Sequence, residues 1–171
     1  MKIILEPAGD IAGETMEKLK DRVGSIFHCP VEIKAGFDDL AQAYNPERKQ
    51  YLSSRLLAAL GTAQRQEKIV GIADVDLYVS RLNFVFGEAD ISSGTAIISL
   101  WRLRPEYYGL DPDEALFLER ASKEIVHELG HTFGLEHCPN SRCVMHFSNS
   151  LADTDLKEAR FCSKCRPKII L

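Results

Sequence analysis

The run His127-Glu128-Leu129-Gly130-His131-Thr132-Phe133-Gly134-Leu135-Glu136-His137 constrains this chain more than any other stretch. Each helical residue advances about 100°, so His127 and His131 fall within about 40° of one another, one turn apart, and can bind one cation. Glu128 neighbours the first ligand without being one, the place for a general base that takes a proton from a metal-activated water. Gly134 can adopt the left-handed conformation that stops a helix, and the chain can then return His137 to the same ion. Three protein ligands and an open position make a catalytic zinc shell. The competing account is an amphipathic helix whose histidines are satisfied by hydrogen bonds. With five His in 171 residues, a chance match is on the order of 10⁻⁴ to 10⁻⁵.

A chain of 171 residues suits one domain, 1–171, which we expect to form an N-terminal lobe over 1–137 and a small C-terminal lobe over 138–171. No stretch approaches the roughly 18 apolar residues of a membrane span, and Met1-Lys2-Ile3-Ile4-Leu5 lacks the length and cleavage pattern of a signal peptide, so the expectation is a soluble, cytoplasmic protein with no membrane partner. A net charge of −4 and a pI near 5.7 argue against a nucleic-acid partner. Lys157, Arg160, Lys164, Arg166 and Lys168 form a local basic exception, read either as a solvated face or as a contact for an acidic partner.

Periodicity places the site. Ile3-Ile4-Leu5 reads as a buried strand, Ile11, Thr15, Met16, Leu19 and Val23 as a helix, and Val31-Glu32-Ile33 as a second strand. Asn45 as cap, Pro46 at the first helical position and Gly61 as terminator bracket an expected helix carrying Leu52, Leu56 and Leu60. Val70 to Val79, Asn83 to Gly87 and Thr95 to Trp101 read as strands. Asp111-Pro112-Asp113-Glu114 announces a helix starting near Pro112. Its stripe of Ala115, Leu118, Ser122, Ile125 and Leu129 should pack on the sheet while His127 and His131 face a cleft.

Cys138, Cys143, Cys162 and Cys165 can clamp a second, tetrahedral zinc. Four thiolates close its shell, so this ion would be structural and would help fold the C-terminal segment. Two disulfides are the rival, disfavoured by a reducing compartment. His137 and Cys138 would serve different ions because neighbouring side chains in an extended segment point oppositely, which would couple the two sites. Cys29 has no partner pattern and reads as a buried small apolar residue.

The extended His-Glu-x-x-His-x-x-Gly-x-x-His run followed by Met145 resembles the metzincin clan of zinc peptidases, and its interleaving with Cys138, Cys143, Cys162 and Cys165 resembles the archaemetzincin (archaelysin) family within it. The resemblance is specific from His127 to Cys165, looser over Asn83 to Ala89 and Thr95 to Arg102, and weak over residues 1 to 65. It implies an α+β, zincin/metzincin-like fold: a mixed twisted sheet with backing helices, an active-site helix and a small zinc-bound C-terminal lobe. It implies that Met145 is the apolar floor of a methionine turn, and that His146 is a surface or hydrogen-bonded histidine. It also assigns Thr95 to Leu100 to the upper cleft edge, where a peptide substrate would pair as an added strand. The implied activity is zinc-dependent peptide hydrolysis with Glu128 as general base, using two zinc ions per chain, in a protein favoured to be a monomer. A zinc-stabilised binding module with little or no peptidase activity, and a hydrolase acting on other acyl groups, are the alternatives. Arg102, Tyr107 and Tyr108 are candidates to stabilise an oxyanion by proximity in sequence alone.

Overall fold

The computed structural model describes residues 1–169. Its centre is a sheet built from β1 (Lys2–Ala8), β2 (Val31–Ile33), β5 (Glu67–Ala73), β7 (Gly87–Asp90) and β8 (Thr95–Ser99). The spatial order is β2-β1-β5-β8-β7. The first four strands in that order run parallel and β7 runs antiparallel to β8. A parallel neighbour requires a crossover, which α1 (Gly13–Phe27) supplies between β1 and β2. Met16, Leu19, Val23 and Phe27 give α1 its buried stripe, and His28 ends it in the left-handed conformation at φ 56°.

The sheet is covered on both faces, as parallel sheets require. Ile3, Leu5, Val70, Ile72 and Ile98 point to one face, where they pack with α1 and with α3 (Glu114–Thr132). Ile4, Ile69, Ala73 and Ile97 point to the other, against Leu56, Leu57 and Leu60 of α2 (Ser53–Ala59) and its C-terminal end. A second sheet joins β3 (Tyr44–Asn45), β4 (Gln50–Leu52) and β6 (Leu77–Tyr78) in that order. After α3 the described residues form one further α-helix, α4 (Leu151–Leu156), whose start carries a capping box between Ser150 and Asp153.

The α+β mixed sheet with backing helices agrees with the sequence expectation, and three local expectations are corrected. The helix expected from Asn45 to Gly61 is instead a hairpin of β3 and β4 followed by the shorter α2. Asn45 does accept backbone N–H bonds, from Glu47 at 3.0 Å and Arg48 at 3.2 Å, but it closes a turn and caps no helix. The apolar run from Val70 to Val79 divides between sheets, because β5 ends at Ala73 and β6 begins at Leu77. The strands expected over Asn83–Gly87 and Thr95–Trp101 occupy Gly87–Asp90 and Thr95–Ser99, and Trp101 begins a 3₁₀ turn.

Helix α3 starts at Glu114, with Asp113 accepting from Leu116 N–H at 2.9 Å. Ala115 is exposed, and every residue from Arg120 to Gly130 is buried. A helix buried all round is a core helix, so its polar side chains need partners. Arg120 donates to Asp155 of α4 at 2.6 and 2.7 Å, and Ser122 to Leu118 O at 2.6 Å. Lys123 pairs with Glu119 at 2.7 Å. Among the described residues no helix is long and apolar enough to cross a membrane.

Candidate active site

Near its C-terminal end, α3 brings His127, Glu128 and His131 to the floor of a cleft of about 660 Å³ whose walls include Phe84, Phe86, Gly87, Glu124 and Phe147. The helix ends in a Schellman motif: Gly134, at φ 84°, donates to His131 O at 2.9 Å, and Leu135 N–H donates to Gly130 O at 3.1 Å. This reversal returns His137 to the helix. One ring nitrogen from each of His127, His131 and His137 then lies within 4.8 Å of the others.

The Nδ1–H of His127 donates to Val144 O and that of His131 to Leu135 O, both at 2.7 Å. Those bonds fix the tautomer, leaving both Nε2 lone pairs aimed inward. The two Nε2 atoms are 3.1 Å apart, close to the ~3.3 Å edge of a tetrahedron with zinc–nitrogen bonds near 2.05 Å. Two inward acceptors at that distance repel unless a cation stands between them, so the donor set fits zinc. Burial holds the pKa of His127 well below its ordinary value, reinforced by the Lys157 charge; burial also lowers His131 and His137. Neutral imidazole is the metal-binding form.

Glu128 is 6 % exposed. Burial, with Glu124 and Glu88 adding to it and Lys157 opposing, pushes its carboxyl up to about 8 without a metal. Beneath the helix lies Met145, fully buried. A Cβ on Gly130 would stand 2.2 Å from Met145 Sδ, so the glycine inside the histidine motif is what lets that methionine press against the helix backbone.

Cys138, Cys143, Cys162 and Cys165 converge at the far side of the same segment, their sulfurs within 4.8 Å of one another and none disulfide-bonded. Cys138 Sγ and Cys162 Sγ are 3.9 Å apart, against ~3.8 Å for a tetrahedron edge with zinc–sulfur bonds of 2.3 Å. Despite burial, backbone N–H groups of Cys165 and Lys164 bring the Cys162 thiol down to about 6, while burial and neighbouring thiols push Cys165 up. Thiols that oppose one another's ionisation fit a site completed by a cation. The two clusters share the Cys138–Met145 segment. Cys138 N–H donates to Met145 O at 2.8 Å, His146 Nδ1 lies 3.0 Å from Cys138 O, and Val144 O holds His127.

Several sequence readings change here. The cleft edge is β7 rather than Thr95 to Leu100, because β8 is enclosed between β5 and β7. Ser99 N–H donates to Phe86 O at 2.8 Å. By antiparallel alternation Phe86, Glu88 and Asp90 therefore face β8, and the backbone groups of Gly87 and Ala89 face outward. Arg102, Tyr107 and Tyr108 do not line the cleft. Arg102 is held by Asp76 at 2.6 and 2.7 Å and stacks on Phe84 and Tyr107, while Tyr108 donates to Arg102 O at 3.1 Å. Cys29 is half-buried, packed at the border of the core.

Lys157, part of a basic face in the sequence reading, is 1 % exposed. Its Nζ lies 3.0 Å from Glu124 Oε1 in an ion pair off hydrogen-bond alignment, and Thr154 donates to the same oxygen at 2.9 Å. Glu124 is a cleft residue that sequence reasoning misses. Its only sequence signal is its place one turn before Glu128, at nearly the same helical angle.

A family model described as Peptidase family M54 matches residues 24–170. The archaemetzincin of Methanocaldococcus jannaschii is 46 % identical over 169 residues, covering 99 % of this chain and 93 % of that protein. The crystal structure of an archaemetzincin from Archaeoglobus fulgidus, complexed with malonate, superposes with a TM-score of 0.87 at 38 % identity over 99 % of this chain and 100 % of that one. A structure described as a zinc-dependent peptidase, from Methanocorpusculum labreanum, gives 0.89 at 30 % identity, covering 97 % and 98 %.

Proposed function

The chain belongs to peptidase family M54, the archaemetzincins, and is a zinc metallopeptidase; from that premise we propose that His127, His131 and His137 hold its catalytic zinc and that Glu128 is its general base. The observation that carries this assignment is the pair of inward-facing Nε2 atoms 3.1 Å apart, each fixed by a carbonyl behind it. A zinc ion bound there supplies Lewis acidity, acidifying a water, polarising the scissile carbonyl and favouring the carboxylate form of nearby acids.

The chain's own residues do the rest. Gly87 and Ala89 offer outward backbone groups to an extended peptide, which aligns antiparallel to β7 as an added strand across the cleft. Glu128, beneath that strand, takes a proton from the attacking water and returns it to the departing amine. Val144 O and Leu135 O keep the ligand imidazoles from turning, and Met145 packs against the helix backbone at Gly130, between the two ligand turns. Phe84, Phe86 and Phe147 keep the cleft wall apolar, which strengthens charge interactions at the reacting bond.

Cys138, Cys143, Cys162 and Cys165 bind a second, structural zinc in this reading, giving two ions per chain. Their separation supports that assignment over two disulfides. We read 1–171 as one catalytic domain whose C-terminal lobe begins at Cys138, in a cytoplasmic monomer. The binding-module alternative is narrowed: Lys157 is buried and Arg160 pairs with Glu158, which leaves Lys164, Arg166 and Lys168 as the basic residues that could meet an acidic partner, and a Glu128→Gln variant with intact biological activity would favour that reading.

Elemental analysis of wild type and His131→Ala, alongside cleavage of a mixed peptide library, tests the assignment. Two zincs falling to one with loss of cleavage is expected. One zinc in both proteins after zinc supplementation, with no cleavage in either, would refute it.

A further inference from the structure

Gly87 is the one residue of the cleft-edge strand β7 that lacks a side chain, and its φ does not explain why. Its φ is not positive, so an L side chain could adopt the same conformation. Glycine inside a strand weakens it, and where conformation does not require glycine the remaining reason is close approach by something else. Here that approach is visible. A Cβ at position 87 would stand 2.6 Å from Glu128 Cγ, 2.8 Å from Glu128 Oε1 and 2.8 Å from Ile97 O. Ordinary carbon contacts are about 3.5–4.0 Å, so the overlap is on the order of 1 Å.

What would yield is decided by the surroundings. The strand cannot retreat, because Phe86 O accepts from Ser99 N–H, Glu88 is registered against Ile97, and the Glu88 side chain is held by Ser53 on the opposite face. The helix cannot retreat either, since α3 is buried throughout from Arg120 to Gly130 and Met145 is packed under Gly130. Of the two neighbours a Cβ would meet, Ile97 O belongs to the backbone of β8, and the side chain of Glu128 is the mobile part. Because the contact falls at Cγ, near the root of that side chain, turning away carries the whole carboxylate with it.

We propose that Gly87 is a positioning residue for Glu128: the missing side chain forms the slot that seats the general base directly beneath the strand to which substrate adds. The inference rests on the reading of Glu128 as general base and deepens it, for one backbone position then does two things. Gly87 presents its peptide groups to the substrate on one side of the strand, and it leaves the carboxylate room under the same peptide. That arrangement brings the base close to the scissile bond without a side chain intervening.

Gly87→Ala in the zinc-loaded enzyme tests it. A displacement near 1 Å should lower kcat by roughly 10- to 100-fold, with KM within about threefold and zinc content unchanged. Glu128→Gln separates the two claims: if turnover survives that substitution, the general-base reading fails whatever Gly87 does. The slot is read independently by melting temperature. Glu128→Ala removes both atoms of Glu128 that a Cβ at 87 would meet, so Gly87→Ala should lower Tm by several degrees in wild type and by clearly less in the Glu128→Ala background. Contact with Ile97 O is common to both arms and cancels. Equal losses of Tm in the two backgrounds, or a kcat within threefold of wild type, would overturn the proposal. Should Gly87→Ala fail to fold alone, recovery of a folded, zinc-containing protein with Glu128→Ala supports the slot, and failure of both assigns the glycine to the strand.

Discussion

The histidine and cysteine clusters are neighbours built on opposite terms. Two of the three histidines ride a helix buried on every side, so the core positions them whether or not an ion is present. The four cysteines sit in turns and short segments after that helix, where α4 and one 3₁₀ turn are the regular structure among the described residues. The first site therefore takes its rigidity from the fold, whereas the second must contribute rigidity to it. The difference teaches that an open shell needs a preformed mount to keep a coordination position free, and that a closed shell can be its own mount.

The largest effect should come from breaking the cysteine side of this contrast. Cys162→Ser with Cys165→Ser would remove the structural ion proposed there, a kind of site whose apparent free energy is about 10–16 kcal/mol in small zinc peptides. Val144 O, which orients His127, lies in the segment that would loosen. Zinc analysis should find both ions lost or the histidine-site affinity reduced, and hydrogen exchange should show faster opening beyond Cys138. If one ion is lost and affinity at the histidines is unchanged, the clusters are independent.

A second break targets the link between α3 and the segment after α4. Lys157→Ala leaves Glu124 buried without its partner and should cost about 3–5 kcal/mol, whereas a paired Lys157→Met, Glu124→Leu replacement should recover most of that in urea titrations. Equal losses would mean that packing, not charge, makes the link. Glu128→Gln comes next: zinc stays at two per chain while turnover falls at least ~10²-fold, or about 2.7 kcal/mol. A stopped assay with a fluorogenic peptide gives the ratio, and a loss of zinc in that variant would place Glu128 among the ligands.

The smallest effect sharpens the comparison through pH. Burial keeps His127, His131 and His137 below 6.5, so proton competition costs less than about a factor of two per histidine at pH 6.5, and histidine-site affinity should fall by less than about eightfold from pH 8 to 6.5. Cys143 and Cys165 are raised by burial, so binding there must displace protons throughout that range. Each displaced proton should weaken apparent affinity by about tenfold per unit of acidification. Chelator competition at several pH values reads both slopes, and equal slopes would erase the distinction.

Much of the site is legible in the sequence because its signals are local. The spacing of His127, His131 and His137 and the glycine at 134 dictate their own geometry, and the cysteine spacing likewise names a tetrahedron. Spatial order is not local, which is why the family resemblance, carried along the chain, points to β8 as the cleft edge: the hairpin with β7 places the earlier strand outside the later one. Asn45-Pro46 misleads for a different reason. A side-chain oxygen accepting two N–H groups further along the chain is the chemistry of a helix cap and of a turn, and here the turn leads into strand β4. Lys157 and Glu124 are hidden because charged residues read as solvated until a partner is found, and theirs lies across a tertiary contact.

The position of β7 also bears on self-association. A sheet margin with unpaired peptide groups is a template for any extended chain, including another molecule of the same kind, and a long, flat, apolar margin polymerises. The β7 margin spans four residues and carries Glu88 and Asp90. A guest strand can be accepted there one at a time, while two such margins brought face to face would meet like charge. Resistance to self-pairing and the proposed capture of a substrate strand would then depend on the same short segment.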